Sequence, residues 1–265
     1  MEQELSSLHV SLSGRRIFLS GVTRGIGRHL LGALVRSGAH VVALARSAEA
    51  AQRVIVEDGI DPKLVSVIAA DLANPRDVES AAAALANEHA PVDSLLHNAA
   101  IDPRLSLAES DHAFWLRVFQ VNLFAAVELT RSALPALTSC RTGRVVFFGS
   151  VVDRMGHANL SAYGASKGAL AALTRSLAHE LAGTGTTVNC LVPGAILVEK
   201  EQAVVADTSA IVEHQAVRRR LVPKDLFGIL ALLLSEAGSA ITGQEIVVDG
   251  GLNHPLSRAS FQTSG

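Results

Sequence analysis

Arg16-Ile17-Phe18-Leu19-Ser20-Gly21-Val22-Thr23-Arg24-Gly25-Ile26-Gly27 decides how this chain is read. Five strand-forming residues turn through glycines straight into a helical stretch, the opening of a βαβ unit. Glycine lets the backbone turn sharply, and the start of the following helix offers free amides and a partial positive charge suited to a phosphate. The spacing Gly21-x-x-x-Gly25-x-Gly27 is a variant of the dinucleotide fingerprint, and its place directly after the first strand gives it weight.

Outward from this stretch, short β-branched runs alternate with longer helical ones, the sequence form of a parallel sheet. After the strand at Arg16 to Ser20, further strands are expected at His40 to Ala45, Leu64 to Ala69, Ser94 to His97, Arg144 to Gly149, Thr187 to Val192 and Glu245 to Val248. Helices are expected at Ile26 to Ser37, Pro75 to His89, Ser110 to Leu137, Ser161 to Ala182 and Lys224 to Ser235, with a weaker one near Glu49 to Asp58. The expected fold is α/β, a doubly wound seven-stranded parallel sheet with helices on both faces and ligands at the carboxyl ends of its strands. At 265 residues and 49% hydrophobic, the chain fits one domain over 1–265, with terminal tails at 1–11 and 253–265. Phe114 to Leu137 and Ala162 to Leu181 are apolar on more than one face. A stripe against the sheet explains part of this, and a subunit interface or burial beneath loops would explain the rest.

Composition removes several classes of function. With net charge −2 and basic residues scattered apart from Arg218-Arg219-Arg220, nucleic acid is not an expected partner, and those three arginines read as a solvated face. Cys140 and Cys190 have no pairing or metal-ligand spacing, and no metal site is expected. Met1 to Arg16 lacks the basic-then-apolar layout of a signal peptide, and no apolar run reaches about 18 residues. No membrane association is expected, and the expected setting is the cytoplasm.

The strongest chemical clue is Tyr163, the only tyrosine, followed at i+4 by Lys167 in a helical stretch. Side chains at that spacing share a face. A phenol has a reference pKa of about 10. A cation about 4 Å away at an effective dielectric of about 20 contributes about 4 kcal/mol, enough to lower that value by roughly three units. Tyr163 is thereby a candidate acid or base near neutral pH.

Taken together, Gly21-x-x-x-Gly25-x-Gly27, Asp71-Leu72, Asn98-Ala99-Ala100, Asn122, Ser150, Tyr163-x-x-x-Lys167, Pro193-Gly194 and the closing Thr242-Gly243-Gln244 through Asp249-Gly250-Gly251 resemble the short-chain dehydrogenase/reductase family. The match runs from about Leu12 to Leu252. The resemblance implies a catalytic tetrad of Asn122, Ser150, Tyr163 and Lys167. Tyr163 would give a proton to a carbonyl oxygen or take one from an alcohol, and Lys167 would lower its pKa and bond the nicotinamide ribose. Ser150 would hold the substrate oxygen, and Asn122 would help retain a water linking Lys167 to solvent. A homotetramer or dimer is implied as well.

The cofactor implied is NADP(H). Its site would comprise Gly21, Thr23, Arg24, Gly25, Ile26 and Gly27 in the loop, then Arg46, Ser47, Asp71, Leu72, Asn98, Ala99 and Ala100, with Tyr163, Lys167, Pro193, Gly194 and Ile196 toward the nicotinamide. Ala45 stands where relatives that use NAD carry an acid, and Arg24 and Arg46 suit a dianionic phosphate. Asp71 would accept a hydrogen bond from the adenine amine or cap the helix near Pro75. His97 and Ala100 replace the outer residues of the usual Asn-Asn-Ala-Gly, and Val198 replaces a frequent Thr. His97 reads as a buried, hydrogen-bonded strand-end histidine.

The substrate would be a small-molecule ketone or secondary alcohol contacted by Ser150, Val152, Asp153, His157, Tyr163 and Leu197, within segments running to about Gln215. A 3-oxoacyl thioester is one candidate, with Arg141 placed as a docking arginine but Thr184 in place of a second basic residue. A sugar or polyol is the other. A non-catalytic NADP-binding redox sensor is the reading from a different class, against which stand the four retained tetrad residues.

Overall fold

The strands are short Val-, Ile-, Leu- and Phe-rich runs because both of their faces are covered. In a computed structural model that describes residues 10–87, 91–198 and 209–253, they are β1 (Arg16–Ser20), β2 (His40–Ala45), β3 (Val65–Ala69), β4 (Ser94–His97), β5 (Arg144–Phe148), β6 (Thr187–Pro193) and β7 (Glu245–Val248). All pair in parallel in the order β3-β2-β1-β4-β5-β6-β7. The winding reverses between β1 and β4, and the carboxyl ends of the strands open a crevice at that point.

Helices α1 (Gly25–Arg36), α2 (Ala48–Glu57), α3 (Pro75–Ala86), α4 (His112–Phe119), α5 (Ala125–Ser139), α6 (Val152–Met155), α7 (Ser161–Glu180), α8 (Ser209–His214) and α9 (Pro223–Leu234) complete the chain order. Leu30, Leu34, Val54, Leu226 and Leu230 of α1, α2 and α9 form a core on one face of the sheet. Val78, Leu129, Leu137, Leu170 and Leu177 of α3, α5 and α7 form another on the opposite face. The doubly wound expectation is met.

Boundaries moved where local chemistry overrode the pattern. Leu64, expected in the third strand, closes a 3-10 turn at Pro62–Leu64, whose Asp61 accepts the Lys63 N–H. The single helix expected from Ser110 to Leu137 is interrupted by a π-turn at Gln120–Phe124. At its centre is Asn122, whose side chain hydrogen-bonds the backbone of another segment at Ile101. The short α6 and α8 were not anticipated. Residues 88–90, at the end of the helix expected to reach His89, lie outside the described residues, as do most of the two terminal tails.

Candidate active site

The glycine loop is shaped by close approach. A Cβ on Gly27 would stand 2.0 Å from the Gly21 carbonyl oxygen and 2.5 Å from the Asn98 side-chain nitrogen, so no side chain fits. Gly21 and Gly25 have φ of +79° and +60°, in the left-handed region that favours glycine. Helix α1 starts at Gly25 with Arg24 at its N-cap and no side chain capping it, which leaves its first amides for a ligand. Asn98 donates to the carbonyls of Ser20 and Gly21, fixing the loop to the end of β4.

These elements border a cleft of about 1460 Å³ along the strand ends. Of the expected cofactor residues, Gly21, Thr23, Arg24, Gly25, Ile26, Arg46, Asp71, Leu72, Asn98, Ala99, Ala100, Tyr163, Lys167, Pro193, Gly194 and Ile196 line it. Gly27 lies buried behind the loop. Ser47 is not among the lining residues; its hydroxyl accepts the Ala50 N–H as the N-cap of α2 and donates to Glu49. Asp71 does not cap α3, since Asn74 does so by accepting the Arg76 N–H. Ala45 is the last residue of β2 and also lines the cleft, so no carboxylate stands there.

The four expected catalytic residues converge from three elements. Ser150 follows β5, nearly buried, and hydrogen-bonds the Tyr163 phenol. Tyr163 and Lys167 project from the first turns of α7. Lys167 is 1% exposed, and its ammonium donates to the Phe148 carbonyl at 2.7 Å while lying 5.7 Å from the centre of the Tyr163 ring. Asn122 is wholly buried. Its Oδ1 accepts the Ile101 N–H at 2.8 Å, and its Nδ2 donates to the Ile101 carbonyl at 2.9 Å and to Ser166 Oγ at 3.0 Å. Ser166 in turn donates to the Tyr163 carbonyl, so the π-turn is tied to the helix carrying the phenol.

The electrostatics differ from the simple pair argument. Burial, with the Asp102 and Asp153 carboxylates, pushes the Tyr163 phenol above its usual range, and the Ser150 hydrogen bond opposes this. Lys167 shares the face as the spacing requires, but its charge is held at the Phe148 carbonyl rather than at the phenolic oxygen. Burial pushes Lys167 itself down to about 8. At Tyr163 burial outweighs the lowering expected from the i,i+4 spacing.

Toward the substrate end, Val152 and His157 line the cleft as expected. Asp153 and Leu197 do not. Asp153 lies in α6 beside Arg154, with its side chain 6% exposed and directed toward Gly168 of α7, and burial raises its carboxyl. Leu197 is held by its backbone N–H to the Leu221 carbonyl, while its neighbours Ile196 and Val198 face the cleft. Glu199 and the segment 199–208 lie outside the described residues. Sequence reading missed Asp102, Arg117 and Arg220, all on the lining, whereas His214, also on the lining, falls within the segment expected to run to about Gln215. Asp102 follows the Asn98-Ala99-Ala100 string at a strand's carboxyl end, a usable signal; Arg117 and Arg220 come from remote segments and carried none. Of the arginine triplet read as a solvated face, Arg219 pairs with Asp225 at the start of α9, but Arg220 turns into the cleft.

A parallel sheet wound in this order, with a glycine loop at the switch point, is the architecture of a dinucleotide-binding α/β fold, and Ser, Tyr and Lys gather beyond the loop. Comparison with known proteins agrees. The family model described as Enoyl-(Acyl carrier protein) reductase matches residues 21–253. The 3-oxoacyl-(acyl-carrier-protein) reductase FabG of Salmonella typhimurium is 32% identical over 244 residues, 92% of this chain and 99% of that one. Dehydrogenase/reductase SDR family member 4 of Sus scrofa is 32% identical over 91% of this chain and 88% of its own. A Beutenbergia cavernae structure assigned as an NAD(P)-dependent gluconate 5-dehydrogenase, with bound NADP, superposes with a TM-score of 0.83 at 36% identity, covering 92% of this chain and 98% of that chain. The chain belongs to the short-chain dehydrogenase/reductase family and is an oxidoreductase of that family. Among the described residues, no helix is long and apolar enough to cross a membrane.

Proposed function

We propose that this protein reduces a ketone, or oxidises the corresponding secondary alcohol, with NADP(H), using Tyr163 as the general acid and base. The observation that carries the reading is the gathering of Ser150, Tyr163 and Lys167 in the same cleft as the glycine loop. The fit of a dinucleotide rests on the loop itself, a cradle that a Cβ at Gly27 would fill, and on the uncapped start of α1. When bound there, NADPH supplies the hydride. Arg24 and Arg46 hold the ribose phosphate, which no carboxylate at Ala45 opposes. Asp71 and Leu72 receive the adenine, and Asn98, Ala99, Ala100, Pro193, Gly194 and Ile196 position the nicotinamide end.

The phenol, raised by burial, is protonated at neutral pH and ready to donate to a carbonyl oxygen. Ser150 holds that oxygen and stabilises the phenolate left behind, and the Lys167 ammonium beside the ring offsets the new negative charge. Asn122 helps keep a water that links Lys167 to solvent and returns the proton. The enzyme is one catalytic domain working in the cytoplasm as a homotetramer or dimer, and Leu116, Phe124 and Val127 form an exposed apolar strip that suits a subunit contact.

The substrate is a 3-oxoacyl thioester or other small carbonyl compound, in keeping with the Salmonella relative. Arg141, the expected docking arginine, precedes β5 at the end of the sheet away from the cleft of its own chain. A sugar or sugar-acid dehydrogenase is the second reading, favoured by the polar and charged lining at Asp102, His157, His214 and Arg220 and by the gluconate-dehydrogenase relative. A panel of 3-oxoacyl thioesters, simple ketones and keto sugar acids, followed by NADPH absorbance, tests the proposal. Oxidation of NADPH by one class assigns the substrate; a protein that binds NADPH yet turns over none of them is the redox sensor instead.

A further inference from the structure

Between α6 and α7 the chain makes a tight turn, with the Leu160 N–H bonded to the His157 carbonyl at 3.2 Å. The third residue of that turn, Asn159, has φ of +64°. Glycine and asparagine hold this left-handed conformation in a turn, and a β-branched side chain opposes it. Among the described residues the other non-glycine with a positive φ is Arg141, which precedes β5 at the end of the sheet away from the cleft. From its turn the Asn159 carbonyl reaches a different segment and accepts the Leu105 N–H at 2.9 Å.

Leu105 closes a short span, Ile101-Asp102-Pro103-Arg104-Leu105, whose opposite end is already fixed. There the Asn122 side chain accepts the Ile101 N–H and donates to the Ile101 carbonyl. Proline locks φ in the middle of the span. Fixed ends and a stiff centre leave little freedom to Asp102 and Arg104, both of which line the cleft with Tyr163. The anchors also flank the phenol along the chain: Asn159 precedes Tyr163, and Ser166, which bonds Asn122, follows it. The span is thereby strapped at both ends to the start of the helix that carries Tyr163.

We propose that Asn159 is a positioning residue for substrate selection: by holding a left-handed turn ahead of α7 it presents the carbonyl that anchors Leu105, and so fixes Asp102 and Arg104 as a polar wall for the substrate beside Tyr163. The phenol has supports of its own, since the Gly164 N–H bonds the Leu160 carbonyl at 2.8 Å and Ser166 bonds both Asn122 and the Tyr163 carbonyl. Loss of the anchor should therefore be felt in substrate binding rather than in proton transfer. The effect on turnover rests on the function proposed above, whereas the anchor does not.

Asn159→Val and Asn159→Gly test this as a pair, because valine opposes the left-handed conformation, glycine accepts it, and neither keeps the side-chain amide. Hydrogen exchange at the Leu105 amide of the full-length protein, read by NMR, should quicken at least about 10-fold in Asn159→Val and stay within about threefold of wild type in Asn159→Gly, with the β5 amides unchanged in both. With whichever substrate oxidises NADPH, Asn159→Val should raise KM about 3- to 10-fold while kcat stays within about threefold and the NADPH Kd within about twofold; Asn159→Gly should hold KM within about twofold of wild type. In a protein that already carries Asp102→Ala and Arg104→Ala, Asn159→Val should add less than about 1.5-fold to KM, since the span then has nothing to place. Equal behaviour of Asn159→Val and Asn159→Gly, unchanged Leu105 exchange, or a full KM effect in the absence of the Asp102 and Arg104 side chains overturns the proposal. If Asn159→Val does not fold, Asn159→Ala is read by the same criteria. If wild-type protein proves to have no turnover, the proposed function has failed, and the exchange comparison still judges the anchor alone.

Discussion

The two ends of the cleft are made of different material. At the ends of β1 to β4 the walls are largely backbone: a glycine loop in which no Cβ fits at Gly27, a helix start without a cap, and the Asn98 amide clamped onto the loop carbonyls. Beyond β5 and β6 the walls are side chains from α6, the stretch after β6, α8 and the approach to α9, with Val152, His157, Ile196, His214 and Arg220 among them. A backbone wall admits almost no substitution, because the constraint is steric and local. A side-chain wall can be rebuilt one residue at a time, and one fold thereby serves many substrates.

If that contrast is right, damage should scale with it. Gly27→Ala should have the largest effect of the substitutions at the two ends, since its methyl collides with backbone as well as with Asn98. Binding of NADPH, read by fluorescence titration, should weaken at least about 100-fold or the protein should fail to fold, at a cost of about 3 kcal/mol. Near-normal binding would mean the loop is softer than its geometry. Arg46→Asp should come next, weakening NADPH about 10- to 100-fold while NADH changes little. Equal losses for both cofactors would remove the phosphate contact. At the other end, His157→Ala should raise the substrate KM about 3- to 10-fold, with NADPH binding unchanged within about twofold. A matching loss of cofactor affinity would show that the two ends are not separable.

The smallest expected effect is spectroscopic. Because Tyr163 is the only tyrosine, the ultraviolet absorbance of tyrosinate reports this phenol alone. Burial and two carboxylates raise its pKa, so in the free protein the signal should appear only above about pH 10. Reduction, which needs the protonated phenol, should then hold its rate across neutral pH, and oxidation, which needs the phenolate, should gain as pH rises. A free-protein midpoint below 10 would return priority to the simple lysine–tyrosine argument.

The same contrast explains what the sequence could tell. The strand positions, the glycine loop and the Tyr163–Lys167 pair were legible because each is a short pattern with a local physical cause: period, turn chemistry, or i,i+4 spacing; Asn122 and Ser150 came only from the family resemblance. The π-turn was not, because Asn122 at its centre is tied to Ile101, a partner 21 residues away that no local pattern points to. Ser47 was misplaced for a related reason, since a hydroxyl beside a helix start is as useful for capping as for binding. Asp153 looked like a pocket residue by proximity to Ser150, yet the single short turn of α6 directs its side chain toward α7 and away from the cleft lining. Arg220 was hidden in a triplet whose members part company, one to Asp225, one to backbone carbonyls near α8 and one to the cleft.

The central claim is that the Tyr163 hydroxyl moves the proton, and Tyr163→Phe tests it with one atom removed. With whichever substrate oxidises NADPH in the wild type, turnover should fall by about 1000-fold or more while NADPH binding stays within about twofold. A variant that keeps more than a tenth of wild-type turnover would contradict the account.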